Sequence, residues 1–240
     1  MRITTRTARN LVAFGLLGGL VWSVVTEASM PSWFDLDDSC PGASRAEKSY
    51  FPPSASCVHE AGRVVSRTAY VPLPKTVALT AFAVVLAVAI VSGLVVLGSR
   101  LRATGARGGT RVEPRRLARH ILGAAMLGAA TAVFGRAVTL FALFLGGPPG
   151  GVCAVGLVGL GAVAAAKTLD TAAGPGGNAA ARRAVALVAI GIAATATLTA
   201  LLWDEYTKDN TVAGPLWAPA AAAGVFAIIA AAQWWRSRSK

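Results

Sequence analysis

Long apolar runs separated by short polar or glycine- and proline-rich segments organise this chain. A bilayer core about 30 Å thick needs about 20 helical residues at 1.5 Å per residue, and six runs approach that length. They cover Leu11 to about Thr26, Val77–Gly98, about His120 to Leu145, Val152 to about Ala166, Ala184–Trp203 and Pro215–Trp235. The fourth is short and rich in glycine. It is retained because the turn Gly146-Gly147-Pro148-Pro149-Gly150-Gly151 would otherwise leave the third run ending on the wrong side. Strands of a transmembrane barrel alternate in polarity over about 10 residues, whereas these runs are uniformly apolar, so helices are predicted. The expected fold class is all-α: a polytopic integral membrane bundle of six transmembrane helices with a small disulfide-stapled outer loop.

Charge strengthens that reading. Of 240 residues 14% are charged, against about 25% in an average soluble domain. Such a composition excludes a single soluble globular domain, a disordered chain and a disulfide-dense secreted scaffold. Eighteen arginines and five lysines face 11 acids, a formal net charge of +12. Sixteen of the cations fall in segments 1–10, 99–119, 167–183 and 236–240, six fall in 27–76 and 204–214, and nine of the 11 acids share the second set. Positively charged loops stay cytoplasmic, so both termini are expected inside. The predicted organisation is a cytoplasmic N-terminus and first transmembrane helix over 1–26, an extracytoplasmic loop over 27–76, and helices two to six over 77–240 with an arginine-rich cytoplasmic loop at 99–119. The cations are expected to meet the bilayer and its anionic headgroups, at about 1 kcal/mol each near the surface. Nucleic acid is not expected as a partner, because 99–119 lacks interleaved aromatics and any glycine pattern opening a helix. The preponderance of Ala, Gly and Arg over Lys, Ile and Asn points to a GC-rich bacterial genome, hence to a bacterial plasma membrane. Residues Thr26-Glu27-Ala28 also resemble a signal-cleavage site, which would leave five spans; Trp22 and Glu27 fit a signal poorly, and an uncleaved anchor is favoured.

Between Ala28 and Thr76 the composition turns to Ser, Pro, Asp and aromatic residues, and Pro31, Pro41, Pro52 and Pro53 prevent long helices. So small a segment cannot build a deep core, and such folds commonly need covalent staples. Cys40 and Cys57 are expected to form one, closing a loop of about 18 residues for about 3 kcal/mol in the chain-entropy model. The absence of a C-x-x-C pair argues against thiol exchange. His59 beside Cys57 does not complete a zinc set, and Asp35, Asp37 and Asp38 lack the spacing of a calcium loop. Trp33, Phe34, Tyr50, Phe51 and Tyr70 are expected to be the loop's own core or interfacial anchors, and are the best sequence candidates for a partner-binding surface.

Within the spans, Arg136 is the most informative residue, about 5 Å from the midpoint of the third run at 1.5 Å per residue. An arginine near a bilayer centre costs about 2.5 to 3.5 kcal/mol on insertion scales. It therefore faces a cavity, a bundle interior or a partner, or else it snorkels to the outer headgroups. No acid is expected deep in a span, so its counter-charge would be Glu27, Asp204, Glu205 or a carboxylate from another subunit. Thr131 and Thr139 flank it, with Thr195, Thr197 and Thr199 on the fifth run; their hydroxyls are expected to bond the preceding turn's carbonyls. Gly15 and Gly19, and Gly156, Gly159 and Gly161, read as packing notches. Cys153 reads as a small apolar residue, and Trp203, Trp217, Trp234 and Trp235 as an aromatic belt.

Motifs for zinc proteolysis, acyl transfer and nucleotide binding are missing. His59 and His120 are expected to sit in the outer loop and at an inner helix boundary, outside any deep catalytic pair. No enzyme activity, cofactor or metal is expected. The first functional expectation is a non-enzymatic assembly, regulatory or immunity component that engages another membrane protein. The alternative is a small transporter or permease subunit with a cavity lined by Arg136, Thr131, Thr139 and the other threonines.

Overall fold

The computed structural model describes residues 4–31, 36–61, 64–103, 114–175, 179–208 and 214–238. Trp33, Phe34, Asp35 and residues 104–113 of the arginine-rich segment lie outside them. The helices are α1 (Thr5–Glu27), α2 (Leu36–Ser39), α3 (Leu73–Ala103), α4 (Pro114–Ala173), α5 (Ala180–Leu201), α6 (Trp203–Lys208) and α7 (Trp217–Arg238). Three strands, β1 (Arg45–Tyr50), β2 (Pro53–Ala61) and β3 (Val64–Ala69), lie between α2 and α3. The chain is thus predominantly helical, as the apolar runs predict, and among the described residues five helices are long and apolar enough to cross a membrane. It divides into two compact units, Met1–Val95 with Phe141–Ala154, and Val96–Leu140 with Val155–Lys240.

In the first unit, small residues on α1 recur every three or four positions, so that Ala8, Val12, Gly15 and Gly19 share one buried face. Gly15 lies against Ile90 and the Leu86 carbonyl, and Gly93 of α3 receives Val12 and the Ala8 carbonyl in return. Further along, the Trp22 indole donates to the Leu79 carbonyl at 2.9 Å. Positions rising along α1 meet positions falling along α3, so the two helices are antiparallel. Gly19 accommodates the sulfur of Cys153, which packs there as a small residue.

The segment expected as a loop is instead a three-stranded antiparallel sheet in the order β1-β2-β3. Tyr50 pairs with Pro53 across the first turn, and Ser56 to Ala61 pair with Ala69 back to Val64. Along β2 the buried Pro53, Ala55 and Cys57 alternate with the half-buried Ser54 and Ser56, the period of a strand with one covered face. Met30, Ala55 and Val71, with Tyr50 against them, form its small core. A disulfide joins Cys40 to Cys57, with Cα atoms 5.7 Å apart. At the end of α1, Glu27 accepts from Lys48 Nζ at 2.7 Å and from Tyr50 Oη at 2.8 Å, tying the sheet to the helix.

The 60-residue α4 is broken by non-helical backbone at Gly147, with φ +60°. In the first unit Gly150 lies against the Ala142 carbonyl; in the second, Gly123 lies against Leu169 and Gly135 against Val158. These pairs converge on Gly147, so α4 is a hairpin with arms 114–146 and 148–173. The expected Gly-Pro reversal is therefore a single positive-φ residue inside helical flanks, and the second arm runs on to Ala173, beyond the expected end near Ala166. A Cβ at Gly147 would stand 2.6 Å from Tyr50 Oη and 2.9 Å from Glu27 Oε2. Glycine is thus required there by both backbone and space.

The core of the second unit contains Ala124, Ala162, Ala166, Ala184, Leu187, Val188, Phe226 and Ala230. Phe226 of α7 fills the space left by Gly128 of α4 and Gly191 of α5. Gly147→Ala is expected to cost about 1 to 3 kcal/mol through strained backbone, lowering the thermal midpoint in detergent. Gly159→Ala, which meets open space, should leave the midpoint unchanged or raise it slightly.

Candidate functional site

The second unit carries an open cavity of about 740 Å³. Helical spacing builds its walls: Gly128, Thr131, Gly135, Arg136 and Thr139 come from the first arm of α4, and Ile192, Thr195 and Thr199 from α5. Trp203 and Tyr206 of α6, with Ala218, Ala222 and Phe226 of α7, complete it. Arg136, Thr131 and Thr139 therefore share one space with Thr195 and Thr199. Thr197 is turned outward and exposed, its hydroxyl bonded to the Ala193 carbonyl at 2.9 Å.

Threonine hydroxyls at the wall spend their protons on their own helices, Thr131 on the Leu127 carbonyl at 2.7 Å and Thr195 on the Gly191 carbonyl at 2.8 Å. Their oxygens retain lone pairs as acceptors. Arg136 is the cationic residue of the lining, and its Cζ sits 4.4 Å from the centroid of the Tyr206 ring, within range of a cation–π attraction. Tyr206 in turn stacks on Trp203 and meets Trp217 edge-on, with centroids 6.2 and 6.1 Å apart. Gly214, with φ +77°, lies where a Cβ would stand 2.5 Å from Arg136 Nη1. Tyr206 and Gly214 thus lie against the guanidinium, a neighbourhood that no local pattern in the sequence marks.

A second polar cluster lies about 24 Å along the first arm of α4 from Arg136, at 1.5 Å per residue. Asp170, 3% exposed, takes a two-pronged bond from Arg183: Nε at 3.0 and 3.2 Å and Nη2 at 2.7 Å. His120, 0% exposed, accepts the Trp234 indole proton at Nδ1, 3.1 Å away. Its Nε2 stands 3.7 Å from Asp170 Oδ1. Gln233 donates to the Arg183 carbonyl at 2.9 Å. Both arms of α4, α5 and α7 meet in this cluster.

These residues correct three expectations. Asp170, placed by sequence in a polar inner loop, is buried on a helix because the second arm continues past Ala166. His120 is an interior residue facing a carboxylate, and Trp234 is buried, not a belt residue. A signal was present: Ala162, Ala166 and Asp170, like His120 and Ala124, fall four apart on one helical face. In the first unit, His59 Nε2 lies 3.3 Å from the Pro41 carbonyl, and no group of three or more metal-binding side chains gathers among the described residues.

Comparison with protein-family models, with curated proteins and with solved structures found no match, and function is inferred from these side chains alone. Truncating one member of a buried ion pair typically costs about 3 to 5 kcal/mol because the other charge stays buried. Asp170→Ala is accordingly expected to lower the thermal midpoint sharply, and adding Arg183→Met to recover part of the loss. Additive effects of the two substitutions would show that the pair is not coupled.

Proposed function

We propose that the protein is a multi-pass membrane protein, with six spans when the arms of α4 are counted separately, whose cavity binds and passes an amphipathic anion. The observation that carries this reading is one guanidinium, held in place by Tyr206, on the wall of an otherwise apolar and threonine-lined cavity. Its volume of about 740 Å³ falls in the usual range for small-molecule sites, about 300 to 1,000 Å³. An acidic head would be drawn to the positive charge of Arg136, and an apolar tail would lie along Ala218, Ala222 and Phe226.

Support for the membrane comes from the outer faces of the helices. Val84, Val88, Val91 and Val95 of α3 and Phe134, Phe141 and Phe144 of α4 are exposed, a surface too apolar for water. The asymmetric charges favour cytoplasmic termini in a bacterial plasma membrane, with Arg136 toward the outer side and the Asp170 cluster toward the inner. The arginine-rich segment 99–119 would meet anionic headgroups. The assembly reading drew on the stapled outer segment, Arg136 and the missing catalytic motifs; the place of Arg136 on a cavity wall, with Tyr206 4.4 Å away, weighs toward the cavity.

The test substitutes single cysteines at positions 132, 134, 135, 138 and 139 in a Cys153→Ala background and applies a membrane-impermeant thiol reagent to intact cells. Positions 132, 135 and 139, on the cavity wall, should react, and 134 and 138, on the outer face, should not. Dodecanoate should slow the reaction at 139, and Arg136→Ala should remove that protection. Uniform protection of all five positions, or dodecanoate protection unaffected by Arg136→Ala, would overturn the proposal.

A further inference from the structure

We infer that His120 is a proton-binding site that governs docking of the C-terminal end of α7: the neutral imidazole holds the Trp234 indole, and the imidazolium releases it. This does not depend on what the cavity carries.

The inference follows from which atoms can donate. An indole nitrogen is a donor only, so the 3.1 Å bond from Trp234 Nε1 to His120 Nδ1 requires a bare lone pair on Nδ1. The ring proton is then on Nε2, which makes no hydrogen bond and faces Asp170 Oδ1 at 3.7 Å. Taking up a second proton from solvent places N–H on Nδ1 as well. Two donors then oppose each other in a fully buried contact, and the indole loses its acceptor.

The surroundings make the alternative position available. The charged groups facing His120 are Asp170, from the second arm of α4, and Arg183, from α5; α7 presents the indole. Asp170 Oδ1 lies 3.7 Å from Nε2, on the side of the ring away from the Nδ1 that holds the indole, so the added charge is drawn toward it and away from Trp234. That oxygen also accepts Arg183 Nε at 3.0 Å, and the partly exposed Arg183 side chain gives solvent an approach to the cluster. Trp234 lies eight positions beyond Phe226 on the same face of α7, so the switch acts on a helix that also lines the cavity.

The experiment follows the six tryptophan indole N–H signals of the full-length protein in detergent micelles by nitrogen-15 NMR, with Trp234→Phe assigning one of them. Between about pH 8 and about pH 4, which covers and extends below the range in which imidazoles ordinarily titrate, the Trp234 signal should move and its protection from solvent exchange, beyond the intrinsic pH dependence, should fall about tenfold or more. The Trp22 signal, whose acceptor is a backbone carbonyl, should keep its protection and so report an intact fold. His120→Gln retains an oxygen acceptor but cannot titrate, and should make Trp234 behave as Trp22 does. A Trp234 signal unchanged across this range, or one that moves equally in His120→Gln, would overturn the inference.

Discussion

Helix backbones approach closely in this protein because small residues occupy one face of each long helix, and most of the packing depends on that. Gly15 and Gly93 let α1 and α3 touch backbone to side chain. Ala124, Ala162, Ala166 and Ala184 do the same in the second unit. Between faces already apolar to the outside, the hydrophobic effect supplies little preference, and close van der Waals contact decides which surfaces meet. The same constraint explains the cavity. Where a large side chain fills the gap, as Phe226 does against Gly128 and Gly191, the interior is dense; where Ala132, Gly135, Ala196 and Ala218 line it, space remains.

Charge inside such a bundle is tolerated by two different devices. Asp170 and Arg183 neutralise each other through a geometry that uses both carboxylate oxygens, and the desolvation of each is offset by the other. Arg136 lies against an aromatic face, whose π cloud attracts the guanidinium. The first arrangement suits a structural clamp. In the second, the positive charge lies on a cavity wall, which suits the acidic group proposed for the cavity. Their separation along α4 puts the two on different stretches of the same helices.

The small sheet depends on attachment more than on its own core. Met30, Ala55 and Val71 give it little buried apolar area, and it is secured by the disulfide to Cys40 and by the bonds of Lys48 and Tyr50 to Glu27. Glu27 also explains why the hairpin tip carries Gly147: its carboxylate and the tyrosine hydroxyl occupy the volume that a side chain would need. One acidic residue thus joins the end of α1, the sheet and the turn of α4.

The sequence by itself determined the helical class, the approximate helix positions, the reversal near Gly147 and the cysteine pair, because each rests on local or compositional signals: long apolar runs, adjacent glycines and prolines, and two cysteines in one short segment. Arg136 and its neighbouring threonines were legible for the same reason, since helical spacing alone places them on one face. The sheet was missed because its strands are short and mix small with charged residues, with the alternation of Ser54-Ala55-Ser56-Cys57 hidden among small residues. Helical spacing marks Asp170 as facing inward, but only the tertiary structure decided that Arg183, His120 and Trp234 gather around it and that Tyr206 lies over Arg136. Those contacts join residues 13 to 114 positions apart, and their partners are chosen by how helices pack, which no periodicity along one helix encodes.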